Sequence, residues 1–279
     1  MHTKIMEAIT MKLGCDTVLF NQLDLYGALQ HIAWAGYDGA QLACLANWAR
    51  HIELNTNQSY MDEIKLTAKK HGLELFAIHA DVGGLPGEDE ITSMITMFDV
   101  ARKLSIPVVT IRTWGKPDDK EDTQHIFKYV KKLTKEAENR GVTLAVGPHT
   151  GGSIYNTEKL LPLLDEINSP ALGVNIDPKE LYRAGDDPSE TILKVGKRIV
   201  HVNLRDYPEE REPIAPADAQ IIGRGVIDFP KTLTTLKNIG YDKDVNLVII
   251  GAFTYPLSRQ MGIAGEARGY LNRCLQEFK

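Results

Sequence analysis

Cysteine is scarce in this chain. The 279 residues hold three, Cys15, Cys44 and Cys274, with no C-x-x-C spacing among them. That excludes a disulfide scaffold and a cysteine-built zinc site. An odd number of isolated thiols without a secretory signal points to a reducing, cytoplasmic setting. Positive charge is short as well: the net charge is −5, and the densest basic spot, Lys131 with Lys132, falls on the outer face of a predicted helix. Phosphate backbones need a clustered positive surface, so nucleic acid is excluded as a partner. Long apolar runs are missing too. No window approaches a membrane span, and the opening MHTKIMEAIT is too short and too polar for a signal peptide. No linker or low-complexity stretch divides the chain, so residues 1–279 are expected to form one domain.

Hydrophobic residues at 43% and charged residues at 25% suit a soluble protein with a large core. Strand-like and helix-like segments alternate through the whole length. Strands are expected at Lys12–Asp16, Gly39–Leu45, Leu73–His79, Val108–Arg112, Val142–Val146, Leu172–Ile176, Ile199–Leu204 and Leu247–Ile250. Between and after them come helical patterns. One places Ile91, Met94, Ile95, Phe98, Ala101 and Leu104 on one face, another Ile126, Val130, Leu133 and Ala137. The last helix is expected over Gly265–Phe278. Near-continuous apolar strands alternating with helices demand a parallel sheet buried on both sides. Eight such units favour an α/β fold closed as a single (β/α)8 barrel, with its active site at the C-terminal strand ends. The loop Tyr207–Gly225 is about three times the usual length for such a connection, which marks a lid, a partner surface or a plain insertion.

Seven segments carry a resemblance: AGYDGAQLACL, HADVGGLPGEDE, GVTLAVGPHTGG, VNIDPKELYRAGDDP, HVNLRD, GRGVIDFP and GIAGEARGYL. In this order the set resembles the xylose isomerase-like TIM barrels, the sugar phosphate isomerase/epimerase superfamily. That resemblance implies a divalent cation held by Glu, Asp, His and Glu at four strand ends, polarising a carbonyl while acidic groups shuttle a proton. In this sequence those positions fall on Gly147, Asp177, Asn203 and Ile250 (or Gly251, one residue on). Only Asp177 is a strong ligand. Catalytic divalent ions generally take three protein ligands or more, so no metal cofactor is expected. A rebuilt site from His149, Asp177 and Glu180 is the alternative.

Period-two alternation extends the inward set. With Gly147 inward, His149 is inward; with Asn203 inward, so are His201 and Arg205. The expected catalytic residues are His149 as base, Asp177 as its partner, and His201. His79, Arg112, Trp114, Glu180, Asn203 and Arg205 are expected to bind substrate. Plainer readings stand beside these: His201 and His79 as core histidines, Arg205 paired with Asp206, Trp114 as a cap on the apolar layer, Glu180 in solvent. The resemblance implies an isomerase, epimerase or lyase acting on a sugar, keto-sugar or cyclitol. The alternative is a non-catalytic sugar-binding or partner subunit that has kept the fold. A DNA-repair nuclease like endonuclease four shares the fold but needs many His and Glu ligands that are missing here. The expected partner is a small-molecule sugar, with no nucleic acid and no membrane. Assembly as a homo-oligomer or in a heteromeric complex stays open.

Overall fold

The computed structural model describes residues 11–276 except 47, 55, 82 and 210–214. Eight parallel strands form its centre: β1 (Lys12–Asp16), β2 (Gly39–Leu45), β4 (Glu74–Asp81), β5 (Val108–Arg112), β6 (Thr143–Gly147), β7 (Leu172–Ile176), β8 (Ile199–Leu204) and β9 (Asp244–Leu247). β1 pairs with both β2 and β9, which closes the sheet into a barrel. β3 (Ala49–Arg50) is a two-residue antiparallel addition to the end of β2. Helices α1 (Leu25–Trp34), α2 (Gln58–His71), α3 (Glu88–Leu104), α4 (Lys120–Arg140), α5 (Thr157–Ile167), α7 (Pro188–Val195), α8 (Phe229–Asn238) and α9 (Leu257–Gln276) alternate with the strands. The expected (β/α)8 architecture is therefore present.

The apolar faces read from the sequence do the packing. Ile91, Met94, Phe98, Ala101 and Leu104 of α3 are buried, as are Ile126, Val130, Leu133 and Ala137 of α4. Each fully buried branched or aromatic side chain contributes about 1.5–3 kcal/mol relative to exposure. No helix among the described residues is long and apolar enough to cross a membrane.

Several elements differ from expectation. The last strand is Asp244–Leu247, not Leu247–Ile250. Its polar residues Asp244 and Asn246 belong to a hydrogen-bonded group inside the barrel, and so break the apolar pattern. By Ile250 the backbone N–H has left the sheet and donates to the Gln220 side chain. The final helix starts at Leu257, ahead of Gly265; its expected end at Phe278 lies outside the described residues. A short helix, α6 (Pro178–Arg183), follows β7 directly.

The long loop after β8 is anchored rather than loose in its described part. Asp206 is fully buried, and its carboxylate accepts N–H bonds from Tyr207 (2.9 Å), Gly223 (2.9 Å), Gly225 (2.8 Å) and Ile227 (3.1 Å). Gln220 ties the loop to the barrel rim by donating to the carbonyls of Ala215 (2.8 Å) and Ile250 (2.9 Å). Residues 210–214 of this segment lie outside the described set.

Candidate active site

A cavity of about 310 Å³ opens at the C-terminal strand ends. Gly147, Asp177, Asn203 and Ile250 all line it, so the register carried over from the resemblance brings these four positions to one place.

The sequence D-P-K-E builds the wall beyond β7. Asp177 is the N-cap of α6, its Oδ1 accepting from Lys179 N at 3.1 Å, and Pro178 takes the first helical position, where its missing N–H costs nothing. That start fixes Lys179 and Glu180 in the first turn, buried and facing the cavity. Arg205, just past β8, reaches across. Its Nε and Nη2 donate to Asp177 Oδ2 at 2.9 and 2.8 Å, and Nη2 also meets Glu180 Oε1 at 3.2 Å. Glu180 Oε1 takes Lys179 Nζ at 2.5 Å, and Oε2 takes Thr150 Oγ1 at 2.8 Å. Burial pushes the Glu180 carboxyl up, but Lys179, His149 and Arg205 outweigh it and hold the group well below the usual carboxylate range. Burial, with Arg205 beside it, lowers Lys179 to about 8.

His149 sits in the loop after β6. Its N–H bonds to Ile154 O at 3.1 Å, and Gly152 N returns to His149 O at 2.8 Å. The loop is pressed onto Thr113: a Cβ at Gly152 would lie 2.6 Å from the Thr113 carbonyl oxygen, so only glycine fits. Nδ1 of His149 accepts from Gly151 N at 3.1 Å. Nε2 lies 3.3 Å from Arg112 Nη1 and 4.0 Å from Glu180 Oε1. Burial lowers its pKa to about 4, Glu180 opposing and Arg112, Lys179 and Arg205 reinforcing. The opposite wall is set by Asp81 at the end of β4, which accepts from Arg112 Nη2 at 2.9 Å, Trp114 Nε1 at 3.0 Å and Gly83 N at 3.0 Å.

From His79 at the cavity wall a polar chain runs down through the barrel. His79 Nδ1 lies 2.7 Å from Asp16 Oδ2, Gln41 Nε2 donates to the same oxygen at 2.5 Å, Gln41 Oε1 meets His201 Nε2, and His201 Nδ1 lies 2.9 Å from Asp244 Oδ2. Burial raises the Asp244 carboxyl, yet His201 and Asn246 leave it below its ordinary value.

His79, Arg112, His149, Asp177, Glu180, Asn203 and Arg205 are thus brought to one cavity, while His201 and Trp114 are not among its lining residues. His201 is fully buried inside the barrel, two residues below Asn203 along β8, where the barrel interior is closed. Trp114 is buried and packs edge-on against Tyr129, centroids 5.7 Å apart. Asp177 pairs with Arg205 instead of serving His149, and Arg205 does not pair with Asp206, which holds the loop. Glu180 is 3% exposed, not solvated.

Sequence reasoning missed Asp16, Trp48, Asp81, Asn175 and Lys179. Asp16 and Asp81 were visible as carboxylates closing apolar runs, and Lys179 was visible beside the helix-starting Asp-Pro. Asn175 was visible by the same alternation, two residues before Asp177, whereas nothing marked Trp48, which enters the cavity through the fold.

The residues present do not suit the family's divalent ion. Gly147 and Ile250 carry no ligand, Asp177 is engaged by a guanidinium, and three further cations, Arg112, Lys179 and Arg183, line the same cavity. Among the described residues no three of His, Cys, Asp and Glu gather as a ligand set.

A family model described as "Xylose isomerase-like TIM barrel" matches residues 29–274. An uncharacterized protein of Methanocaldococcus jannaschii is 24% identical over 86% of this chain and 84% of its own length. Inosose dehydratase of Bacillus thuringiensis is 26% identical over 52% of this chain and 50% of that protein, so this match spans about half of each. Among solved structures, a D-tagatose 3-epimerase-like protein superposes with a TM-score of 0.77 at 18% identity, covering 96% of this chain and 98% of that one. A xylose isomerase domain protein from Alicyclobacillus acidocaldarius gives 0.80 at 16% identity, covering 96% and 99%.

Proposed function

Because the chain belongs to the xylose isomerase-like TIM barrel family, we propose that it is a carbohydrate-handling enzyme. It would act as an isomerase, epimerase or lyase on a sugar, keto-sugar or cyclitol, by moving a proton next to a carbonyl without a divalent ion. Matches to an inosose dehydratase and to an epimerase-like structure support that class. One observation carries the reading: three cations, Arg112, Lys179 and Arg205, are fixed at the cavity by Asp81, Glu180 and Asp177. Enolisation builds negative charge on the carbonyl oxygen. Cations held in advance in a secluded site stabilise that charge without reorganising. The oxyanion would lie against Arg205 and Lys179. The buried amide oxygens of Asn175 and Asn203, which have no hydrogen-bond partner among the described residues, would accept sugar hydroxyls. Trp48, which lines the cavity, replaces Trp114 as the ring for a sugar face. The protein would work in a reducing cytoplasm, with its three cysteines as thiols.

The test is hydrogen exchange. Incubation with keto-sugars and inososes in deuterated water, followed by proton NMR, should show loss of a carbon-bound hydrogen from at least one compound. A sugar-dependent rise in melting temperature with no exchange from any compound would refute the enzyme reading. It would favour a non-catalytic sugar-binding subunit, a reading supported by Gly147, Asn203 and Ile250 at the ligand positions.

A further inference from the structure

We infer that His79, oriented by Asp16, is the general base that removes the substrate's carbon-bound proton; this rests on the enzyme reading above. Besides its arginines, six titratable side chains line the cavity: His79, Asp81, His149, Asp177, Lys179 and Glu180. A base needs a lone pair that is free and aimed at the substrate. Both oxygens of Asp81 are taken by Arg112, Trp114 and Gly83. Asp177 is taken by Lys179 N and Arg205, and Glu180 by Lys179, Arg205 and Thr150. Lys179 is a hydrogen-bond donor to Glu180. His149 spends Nδ1 on Gly151 and turns Nε2 towards a guanidinium. His79 alone is left.

Its geometry is that of an oriented base. Asp16 closes β1, is fully buried, and is held by Val18 N at 2.8 Å and Gln41 Nε2 at 2.5 Å. An oxygen already accepting an amide N–H requires a donor from the ring 2.7 Å away, so Nδ1 of His79 carries the proton. In the neutral ring Nε2 then bears the lone pair. Among the described residues Nε2 has no protein partner, and the side chain is 19% exposed at the cavity. By strand order β4 is third and β8 seventh of the eight barrel strands. His79 and Arg205 therefore line the cavity from opposite sides. A substrate with its carbonyl at Arg205 extends across the cavity towards His79.

In the step itself the C–H bond breaks and its proton forms a bond to Nε2. The C–H electron pair becomes the enediolate C=C, and the carbonyl π pair moves onto the oxygen. The resulting imidazolium keeps its Nδ1 proton against Asp16. In isomerisation it returns the Nε2 proton to the former carbonyl carbon, while the enediolate's hydroxyl proton passes to the oxyanion and the C=O forms on the other carbon. In elimination the oxyanion re-forms the C=O, the C=C pair shifts to the next carbon, and the C–O bond there breaks as its hydroxyl takes the Nε2 proton and leaves as water. Asp16 is a positioning residue; His79 touches the substrate.

Nitrogen-15 NMR of the histidine-labelled protein reads the tautomer without any substrate. The neutral His79 ring should show a protonated Nδ1 and an unprotonated Nε2; the opposite tautomer would overturn the inference. With a compound that exchanges under the wild-type protein, His79→Gln should lower kcat by about 100-fold or more while KM stays within about threefold. Asp16→Asn should lower kcat in the same direction and change the Nδ1 signal of His79. Should Asp16→Asn not fold, His79→Ala with added imidazole replaces it, and partial rescue of exchange is the expected result. Unchanged kcat in His79→Gln would overturn the inference. A protein that exchanges no compound defeats the enzyme reading and this inference with it. Exchange with the opposite tautomer defeats the inference alone.

Discussion

Acid should strip stability from this protein through His149. Burial, with the cations of Arg112 on β5, Lys179 on α6 and Arg205 beyond β8, holds its ring at about 4 instead of 6.5, against the attraction of Glu180. In the unfolded chain the ring titrates at its ordinary value. Between those two pH values the unfolded state binds a proton that the native state refuses. The stabilisation is therefore complete above the unfolded value and is lost as the pH falls towards the native one. At roughly 1.36 kcal/mol per pH unit, the part due to His149 amounts to about 2 kcal/mol by pH ~5 and about 3 kcal/mol by pH ~4. The lowered carboxyl of Glu180 acts in the same direction but at more acid pH, and the imidazole is one of the groups that hold it there, with Lys179 and Arg205.

The variant His149→Gln isolates the effect, because glutamine does not titrate. Urea unfolding of both proteins at about pH 7, 5 and 4 gives two stability curves whose difference reports this ring together with its share in holding Glu180 down. The wild type should lose more than the variant by the amounts just given, with m-values unchanged. Parallel curves would refute the reasoning. They would mean that the imidazole is hydrated, or paired closely enough with Glu180, to titrate normally.

Three further outcomes test the frame around the site. Asp206→Ala should cost about 3–5 kcal/mol in urea unfolding, because four N–H groups lose their acceptor, and Asp206→Asn should fall between it and the wild type; a loss below about 1 kcal/mol would show that water replaces the carboxylate. Elemental analysis of the purified protein should find well under one metal equivalent. The triple variant Gly147→Glu, Asn203→His, Ile250→Glu should be destabilised without metal and stabilised by Mn or Mg. A Cβ at Gly147 meets nothing nearer than 3.4 Å, so the first change fits, and a variant indifferent to metal would show the register to be wrong.

The barrel was legible because its code is redundant: β6 and β7 are nearly all apolar, and α3 and α4 repeat every three to four residues, so several residues vote for each element. β9 was displaced because Asp244 and Asn246 answer to His201 and not to an apolar core, and period alone reads such polar residues as a turn. The site was legible only as a set of inward positions. Alternation correctly aimed His149, Asn203 and Arg205 at the cavity, but it is blind to depth, and so it placed His201 in the mouth with them. It is equally blind to partners. That Arg205 chooses Asp177 and Glu180 over its neighbour Asp206 depends on α6 and β8 meeting in space. That Asp16 serves His79 depends on the closure of β1 onto β2 and of β2 onto β4, across 63 residues of sequence. Side-chain pairing across a closed barrel is set by strand order and shear, which hydrophobic period does not encode. The roles of the charged residues had to come from their distances.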